Sequence, residues 1–232
     1  MSTDTIKRRC AKKALDFITN DTIIGLGGGG TIAYLIEYLQ SSPNLKVKIV
    51  TPSTTTRILC ENFGLEVLPT GSVSEVSVAF DGCDEVDEQL YALKSGGGIH
   101  TQEKLIANMA KNYILLVDEG KFVPSLTCKY PVVLEILPES LYYVEKQIRQ
   151  LGGESSIRKS AGKDGFTISD NGNLLMDVHF KQVDDFADLQ HTLKGISGIV
   201  ETSIFTKEVT KILLAKETSF QLISKTTNEV IV

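Results

Sequence analysis

The residues best suited to catalysis lie between Asp81 and Lys104, where acidic side chains, a lysine and a run of glycines follow one another. The apolar run at 76–80 predicts a buried strand, so Asp81 falls at its carboxyl end, which is where open α/β sheets bind their ligands. Carboxylates that lie close together raise one another's pKa, which suits them to proton transfer. This stretch therefore predicts a site at which protons are moved.

The second half of the stretch would supply a cation, backbone donors and a further carboxylate. Lys94 could keep a neighbouring carboxylate ionised or stabilise an oxyanion, and the glycines at 96–98 would leave backbone N–H groups bare. Thr101 is a suitable N-cap for the apolar-periodic run at 105–113, which places Glu103 in the first turn of a helix. These groups are expected to converge on one cleft.

The acidic residues at the start of the stretch have other interpretations. Asp81, Asp84 and Glu85 could bind magnesium or form a solvated acidic turn instead of handling protons. Asp87 and Glu88, a little further on, are predicted to be solvated surface residues. Each feature is a weak signal by itself, but a strand end, a glycine loop and a helix start in this order favour a catalytic site.

An earlier glycine loop at 25–30 lies between a predicted strand at 22–26 and a predicted helix at 32–39. Its spacing satisfies G-x-G-x-x-G, but a dinucleotide site also requires an acidic residue at the end of the second strand, and residues 45–57 contain none. Bare N–H groups at a helix N-terminus favour an anion such as phosphate. A purely structural turn and a dinucleotide site remain the alternatives.

The order of the elements indicates an α/β fold, because short apolar strands alternate with helices of about ten residues. A doubly wound, mainly parallel sheet is expected, to which strands at 211–215 and 220–223 return. The other elements predicted for it are helices at 2–18, 32–39 and 55–63, and strands at 22–26, 47–50, 65–68, 76–80 and 113–117. The hydroxyls of Thr51, Ser53 and Thr54 either face the same crevice or cap the following helix.

The pattern changes after Pro124. Residues 128–203 predict a β-α-β-β-α-β order, which is the split arrangement of ferredoxin-like domains. Strands are expected at 131–135, 166–169, 174–178 and 198–205, helices at 139–151 and 184–193, and a hairpin turn at 170–173. The chain is therefore expected to form a Rossmann-like domain, residues 1–127 plus 204–232, and a smaller inserted α+β domain, residues 128–203.

Charge and composition exclude several classes of partner. The net charge is −5 and no basic block occurs, so nucleic acids and anionic membranes are not expected partners, whereas a few lysines suffice for a small anion. No apolar run reaches the roughly 18 residues of a membrane span. Four widely spaced cysteines suit a reducing, cytoplasmic location, and neither they nor the three histidines have the spacing of metal ligands.

Taken in order, these motifs resemble the A-type ribose-5-phosphate isomerase family along nearly the whole chain. The segments that carry the resemblance are 25–31, Asp81-Gly82-Cys83-Asp84-Glu85, Lys94 with Gly96-Gly97, Glu103-Lys104, 118–121, 151–153 and 170–179. The resemblance implies an aldose-ketose isomerase that interconverts D-ribose 5-phosphate and D-ribulose 5-phosphate in the non-oxidative pentose phosphate pathway. It also implies a cis-enediolate intermediate, no metal or organic cofactor, and a homodimer or homotetramer.

The resemblance also assigns roles to individual residues. Glu103 is implied to be the base that carries the proton between C2 and C1, and Asp81 to assist ring opening and proton transfer at the sugar oxygens. Lys94 and Asp84, with the Gly96 and Gly97 amides, would hold those oxygens and stabilise the enediolate. The residues implied to bind the substrate, most of them around its phosphate, are Lys7, Gly27, Gly28, Gly29, Gly30, Thr31, Gly82, Cys83, Ser95, Gly96, Gly97 and Lys121.

The chain departs from the family pattern at four positions. Gly28 and Gly30 stand where the family usually has threonine and serine, Ser95 where it has glycine, and Gln102 where it has arginine. A lost contact of about 1–1.5 kcal/mol weakens binding roughly tenfold, so a raised Michaelis constant or a substrate altered at the phosphate end is expected. The alternatives are a sugar-phosphate-binding protein of the same fold with reduced activity, and an acyl- or CoA-transfer enzyme with Glu103 as nucleophile.

Overall fold

The computed structural model describes residues 2–160, 162, 164–225 and 228–231, which form helices and strands in an alternating order. The helices are α1 (Thr3–Ala14), α2 (Gly30–Gln40), α3 (Thr54–Asn62), α4 (His100–Met109), α5 (Leu141–Gln150) and α6 (Phe186–Lys194). The strands are β1 (Thr22–Leu26), β2 (Val47–Val50), β3 (Val76–Asp81), β4 (Glu85–Asp87), β5 (Ala92–Leu93), β6 (Ala110–Asp118), β7 (Phe122–Val123), β8 (Val132–Ile136), β9 (Gly153–Ile157), β10 (Leu174–Phe180), β11 (Ile199–Thr202), β12 (Ile204–Phe205), β13 (Lys211–Ala215), β14 (Phe220–Ser224) and β15 (Asn228–Ile231).

The largest sheet has seven strands in the order β15-β14-β13-β6-β3-β1-β2. The five strands from β13 to β2 are parallel, and β14 and β15 extend the sheet in antiparallel pairs. The predicted doubly wound sheet is confirmed, including the two strands that return to it late in the chain. Its parallel strands are buried on both faces, which explains why they are short, nearly continuous apolar runs.

Helices cover both faces of this sheet. Leu35 and Ile36 of α2 pack with Phe80 and other residues on one face, and Ile106 of α4 packs with Tyr113 on the other. Alternate residues of β3 contribute to the two cores, as the two-residue period of a strand requires. The pairing of Leu26 with Phe80 brings the loops after β1 and β3 side by side at one edge.

A second sheet, β11-β8-β10-β9, is antiparallel and carries α5 and α6. This confirms the ferredoxin-like arrangement, but the prediction of its second strand at 166–169 was wrong. That strand is β9, and residues 166–169 contribute only the single bridges at Phe166 and Ile168. The reason is that β9 reads Gly-Glu-Ser-Ser-Ile, a largely polar edge strand without the apolar pattern that identifies strands in a sequence.

A third, small sheet, β12-β5-β4-β7, was not predicted, because strands of two or three residues carry no periodic signal. The predicted strand at 198–205 is therefore two strands, β11 in the antiparallel sheet and β12 in this third sheet. The predicted strand at 65–68 is reduced to one bridge between Val67 and Ile49.

Asp87 was predicted to be solvated but is buried in β4, where its carboxylate accepts the backbone N–H groups of Gln89, Tyr91 and Leu126. Burial raises the pKa of Asp87. Glu88 is exposed, as predicted.

None of the helices in the described part of the chain combines the length and the apolar character that a membrane crossing demands.

Candidate active site

Asp81 lies at the point where the strand order reverses, with β2 on one side of β1 and β3 on the other. Ligands of open α/β sheets bind at such a point. Gly27 directly follows β1, and its N–H donates to the carbonyl of Phe80 at 2.8 Å. A Cβ atom on Gly27 would lie 2.1 Å from Cγ of Asp81, so only glycine lets this carboxylate pack against the loop.

Three charged side chains meet in the buried part of the site. Lys94 Nζ lies 3.0 Å from Oδ2 of Asp81 and 3.3 Å from Oε1 of Glu103, and each of the three residues is at most 8% exposed. The Tyr113 hydroxyl donates to Oδ2 of Asp81 at 3.0 Å, and the N–H of Gly82 donates to its Oδ1 at 2.8 Å. The Asp81 carboxylate therefore has three donors that fix its position.

Burial and charge shift the pKa values in this cluster in opposite ways. Burial by itself would lower the pKa of Lys94, but the charges of Asp81 and Glu103 outweigh it and raise that pKa, so the ammonium stays protonated. Burial raises the pKa of Glu103 above its ordinary value against the opposing charge of Lys94. Burial and the charge of Asp81 raise the pKa of Tyr113, which is therefore a neutral hydroxyl donor.

Glu103 lies in the first turn of α4, as predicted, but the helix begins earlier than expected. Its N-cap is Ile99, without a side-chain cap, and Thr101 is the second helical residue. The Thr101 hydroxyl donates to the buried carboxylate of Glu135 instead of capping the helix. Gly98 adopts a left-handed φ of 69°, and a Cβ there would meet Leu175 at 2.6 Å, so the glycine allows the loop to turn closely against β10.

The glycine loop before α4 is held on both sides. Oδ2 of Asp84 accepts the N–H groups of Ser95, at 2.5 Å, and Gly96, at 3.0 Å. Arg158 donates to the carbonyls of the same two residues at 2.9 and 3.1 Å and is itself paired with Asp177. The Ser95 hydroxyl turns away to the carbonyl of Pro131. Asp84 therefore orients this loop through its backbone.

The loop after β1 forms the opposite end of the site. It lines a small cavity of about 90 Å³ together with Lys7 of α1 and Lys121. Gly29 is the N-cap of α2 and has a left-handed φ of 96°, and Gly30 and Thr31 begin the helix. A helix N-terminus and two lysines favour an anion. Lys121 also donates to the carbonyl of Cys83 at 2.7 Å.

A larger cleft of about 580 Å³ adjoins this cavity and shares several lining residues with it. The structure brings together nearly all of the predicted site residues along these two spaces: Lys7, Gly28, Gly29, Gly30, Thr31, Asp81, Gly82, Cys83, Asp84, Lys94, Gly96, Gly97, Glu103 and Lys121. Gly27 and Ser95 line neither space. Gly27 lies behind Asp81, and the Ser95 side chain is 3% exposed and points elsewhere.

The acidic residues after β3 do not converge in the way a magnesium site would require. Glu85 is buried, and its carboxylate accepts the N–H of Thr127 at 2.6 Å and the Thr127 hydroxyl at 2.9 Å, away from the cleft. Within the described residues, no group of three or more histidine, cysteine, aspartate or glutamate side chains is arranged to hold a metal ion.

Some residues of the site could not be identified from the sequence. Tyr113 was predicted only as a strand residue. It pairs with Ala79, which lies two positions before Asp81 on β3, so Tyr113 and Asp81 are on the same face of the sheet. Asp170 was predicted only as part of a hairpin turn, and it lines the cleft from the second sheet's side. Ser53 both lines the cleft and caps α3 by accepting the N–H of Thr56, so both interpretations of its hydroxyl hold.

Comparisons with known proteins all lead to one family. Residues 48–219 match the sequence profile of a family described as ribose 5-phosphate isomerase A (phosphoriboisomerase A). Ribose-5-phosphate isomerase A of Methanocaldococcus jannaschii is 36% identical over 229 residues, which are 97% of this chain and 100% of that protein. The protein of the same name from Pyrococcus abyssi is 37% identical over 209 residues, 88% of this chain and 91% of that one.

Solved structures are similar over the same extent. The Methanocaldococcus jannaschii ribose 5-phosphate isomerase A structure superposes with a TM-score of 0.90 at 35% identity, covering 97% of this chain and 100% of that one. A structure of D-ribose-5-phosphate isomerase in complex with phospho-erythronic acid gives a TM-score of 0.92 at 32% identity with the same coverage.

Proposed function

This chain belongs to the ribose 5-phosphate isomerase A family and interconverts D-ribose 5-phosphate and D-ribulose 5-phosphate, and we propose that Glu103 is the single base of its reaction. The observation that supports this assignment is the buried arrangement of Asp81, Lys94 and Glu103 in a cleft that adjoins a glycine- and lysine-lined cavity. The cavity takes the phosphate, so the other end of the sugar lies toward the charged cluster.

Glu103 takes the proton from C2 of the open-chain sugar. The electron pair of the broken C–H bond forms the C1–C2 double bond, and the electrons of the C1 carbonyl move to its oxygen, which gives a cis-enediolate. The C2 hydroxyl then loses its proton to O1, the carbonyl forms at C2, and Glu103 returns its proton to C1. A base works best when its pKa is near the working pH, and burial raises the pKa of Glu103 in that direction.

Lys94 and Asp81 act on the sugar oxygens O1 and O2. The protonated amine of Lys94 supplies a fixed positive charge where the enediolate oxygen becomes negative, and preorganised charge of this kind is a large term in catalysis. Asp81, held by Tyr113 and Gly82, assists ring opening and the transfer between O2 and O1. Asp84 accepts the N–H groups of Ser95 and Gly96 and so keeps the loop in place, which positions the N–H of Gly97 to donate to the sugar oxygens.

The phosphate end of the site offers fewer hydrogen-bond donors than the family pattern, whereas the catalytic end keeps its residues. Gly28 and Gly30 offer backbone N–H groups but no hydroxyls, and Lys7, Lys121 and the N-terminus of α2 supply the positive potential. A hydroxyl–phosphate hydrogen bond contributes about 1–1.5 kcal/mol, so each missing one raises the Michaelis constant roughly tenfold.

We also propose the division into a domain of residues 1–127 plus 204–232 and a domain of residues 128–203, because the antiparallel sheet β11-β8-β10-β9 is built entirely from the second range.

A cytoplasmic location is supported by the four cysteines, all of them free thiols. A homodimer or homotetramer is supported by exposed apolar side chains such as Tyr142 and Tyr143, and light scattering on the purified protein measures its mass.

The test replaces Glu103 by glutamine and compares it with Glu61→Gln, an exposed position on α3. General acid–base catalysis contributes about 10²–10⁴-fold, so Glu103→Gln should lower kcat by roughly 10³-fold, with little change in substrate affinity. Solvent deuterium should enter C2 of ribose 5-phosphate with the wild type and Glu61→Gln but not with Glu103→Gln. Deuterium exchange that survives in Glu103→Gln would show that another group is the base.

A further inference from the structure

Arg158 lies behind the glycine loop that lines the cleft, and the reaction described above gives it no role. It directly follows β9, and its backbone is fixed by two hydrogen bonds. Its N–H donates to the carbonyl of Leu175 in β10, and its carbonyl accepts the N–H of Thr167, each at 2.8 Å. Its side chain is paired with Asp177 of β10, with Nε 3.1 Å from both carboxylate oxygens. The antiparallel sheet therefore carries a guanidinium in a fixed position.

This guanidinium holds two successive carbonyls of the loop. Nη2 donates to the carbonyl of Ser95 at 2.9 Å, and Nη1 donates to that of Gly96 at 3.1 Å. Gly98 leaves space for the approach, because a Cβ there would lie 3.3 Å from Nη1 of Arg158. The planar guanidinium presents five N–H donors in a rigid arrangement, whereas the ammonium of lysine is a single point charge on a flexible stem. Arginine therefore fixes both peptide units from one side.

Each of these carbonyls determines where an N–H group points. A carbonyl and the N–H of the next residue belong to one planar trans peptide and point in opposite directions. In the first peptide, the carbonyl of Ser95 binds Arg158 and the N–H of Gly96 donates to Asp84, a residue of the cleft, at 3.0 Å. In the second peptide, the carbonyl of Gly96 binds Arg158, so the N–H of Gly97 points away from the guanidinium, on the side of the loop that lines the cleft.

The N–H of Gly97 is a free donor beside the reacting groups. It has no acceptor among the residues that the structure describes, whereas the two preceding N–H groups both donate to Asp84. Gly97 is exposed and lines the cleft together with Lys94 and Glu103. A positive charge on the carbonyl polarises the peptide, which makes its N–H a stronger donor. An oriented backbone donor of this kind stabilises an oxygen that becomes negative during a reaction.

We propose that Arg158 is a positioning residue for the isomerisation, which directs and strengthens the Gly97 N–H that donates to the enediolate oxygen. It acts through the carbonyl of Gly96, which belongs to the same peptide unit. Lys94 supplies a charge to the enediolate, and the loop supplies a neutral donor. The antiparallel sheet thus takes part in the reaction through a side chain that does not touch the substrate. This inference rests on the proposed enediolate chemistry.

The test compares variants of Arg158 with Arg149→Gln. Arg149 lies on α5 of the same sheet unit, where it is exposed and pairs with Glu145 at 3.1 Å, so it is a matched arginine–carboxylate pair away from the cleft. Arg158→Lys keeps the positive charge and loses the fork, and Arg158→Gln loses both. The double variant Arg158→Gln, Asp177→Asn leaves no unpaired carboxylate, so it serves if Arg158→Gln does not fold. Thermal unfolding of each variant accompanies the kinetics.

Arg158→Lys and Arg158→Gln should each lower kcat by about 10- to 100-fold and leave the Michaelis constant within about twofold, because the lost interaction is made mainly in the transition state. The double variant should have the same low kcat, and Arg149→Gln should keep wild-type kinetics. Wild-type kcat in Arg158→Lys, or recovery of kcat in the double variant, would overturn the proposal. A Michaelis constant that rises as much as kcat falls would also overturn it.

Calorimetry adds a measurement that does not depend on turnover. 4-Phosphoerythronate carries a carboxylate, whose charge is spread over two oxygens as in the enediolate, and erythritol 4-phosphate carries a hydroxyl in its place. Arg158→Lys should bind the acid about tenfold more weakly and the polyol within about twofold, because a charged acceptor gains most from an oriented N–H.

Equal losses for the two probes would indicate a purely structural role and would overturn the proposal, as would equal binding of both probes by Arg158→Lys and the wild type. Failure of the wild type to isomerise ribose 5-phosphate would count against the proposed function. The ratio of the two affinities would still decide the role of Arg158.

Discussion

The neighbouring glycines at 27 and 28 should respond in opposite ways to the same substitution. A Cβ at Gly27 would lie 2.1 Å from both Cγ and Oδ1 of Asp81 and 2.4 Å from its Oδ2. Ordinary contact begins at 3.4 Å, so Asp81 would have to move by about 1.3 Å. A Cβ at Gly28 would find its nearest neighbour, Oγ of Ser53, at 3.7 Å, which is an ordinary contact.

Asp81 has little freedom to accommodate the new methyl group. It is 2% exposed and is held by Lys94 at 3.0 Å, by the Tyr113 hydroxyl at 3.0 Å and by the N–H of Gly82 at 2.8 Å. A hydrogen bond to a charged group contributes about 1.5–3 kcal/mol, and misplacing a reacting group by 1 Å reduces the rate about 10²-fold. Gly27→Ala should therefore lower kcat about 10²-fold and lower the unfolding free energy by about 2 kcal/mol.

The assay is ribulose 5-phosphate formation over a range of substrate concentrations, with thermal unfolding of each variant. Gly28→Ala should keep kcat within about threefold of the wild type. In a Gly27→Ala background, Asp81→Asn should add little further loss, because the two changes act on one group. The reasoning fails if Gly27→Ala retains wild-type kcat, if Gly28→Ala loses as much, or if the losses of Gly27→Ala and Asp81→Asn are additive.

Two further predictions concern the phosphate loop and the base. The double variant Gly28→Thr, Gly30→Ser should lower the Michaelis constant roughly tenfold per restored hydroxyl at unchanged kcat, since both positions have room; an unchanged constant in steady-state kinetics would contradict this. Burial raises the pKa of Glu103 in the folded state. The contribution of Glu103 to the unfolding free energy is therefore fully present below its pKa in the unfolded chain, about 4.3, and is lost as the pH rises through its raised pKa in the folded protein. The melting temperature of Glu103→Gln should therefore rise relative to the wild type between about pH 4 and about pH 9, and a constant difference would refute the sign.

The parts of the site that the sequence predicts correctly depend on local signals. Asp81 ends an apolar run that predicts a buried strand, and the glycine loops lie between a strand and a helix, where backbone N–H groups are available to a ligand. The parallel, doubly wound character of the sheet follows from the alternation of strands and helices. Gly27 shows what local signals cannot predict. Four consecutive glycines look alike in the sequence, and only the packing of Asp81 at the end of β3 against Gly27 shows that this position has no room for a side chain.

The remaining features depend on contacts between distant segments. Asp87 follows the acidic residues of the site in sequence and reads as one more solvated carboxylate, yet backbone N–H groups from residues as far away as Leu126 surround it. Asp170 enters the cleft only because Glu135, on another strand, gathers the turn's donors. No pattern within a window of ten or so residues contains that information.

The position of the charged cluster is explained by one short segment that joins the sheets. The carbonyl of Ser203, between β11 and β12, accepts the N–H of Lys94 at 3.0 Å, and the N–H of Ser203 donates to Val133 of the antiparallel sheet at 2.8 Å. Lys104, next to the base, donates to the carbonyls of Thr202 and Ile204 at 2.8 and 2.7 Å. Residues 202–204 thus anchor both the loop that carries Lys94 and the helix that carries Glu103. Because the amine and the base share this support, their 3.3 Å separation is set by the junction of the two sheets and not by the eight residues between them along the chain.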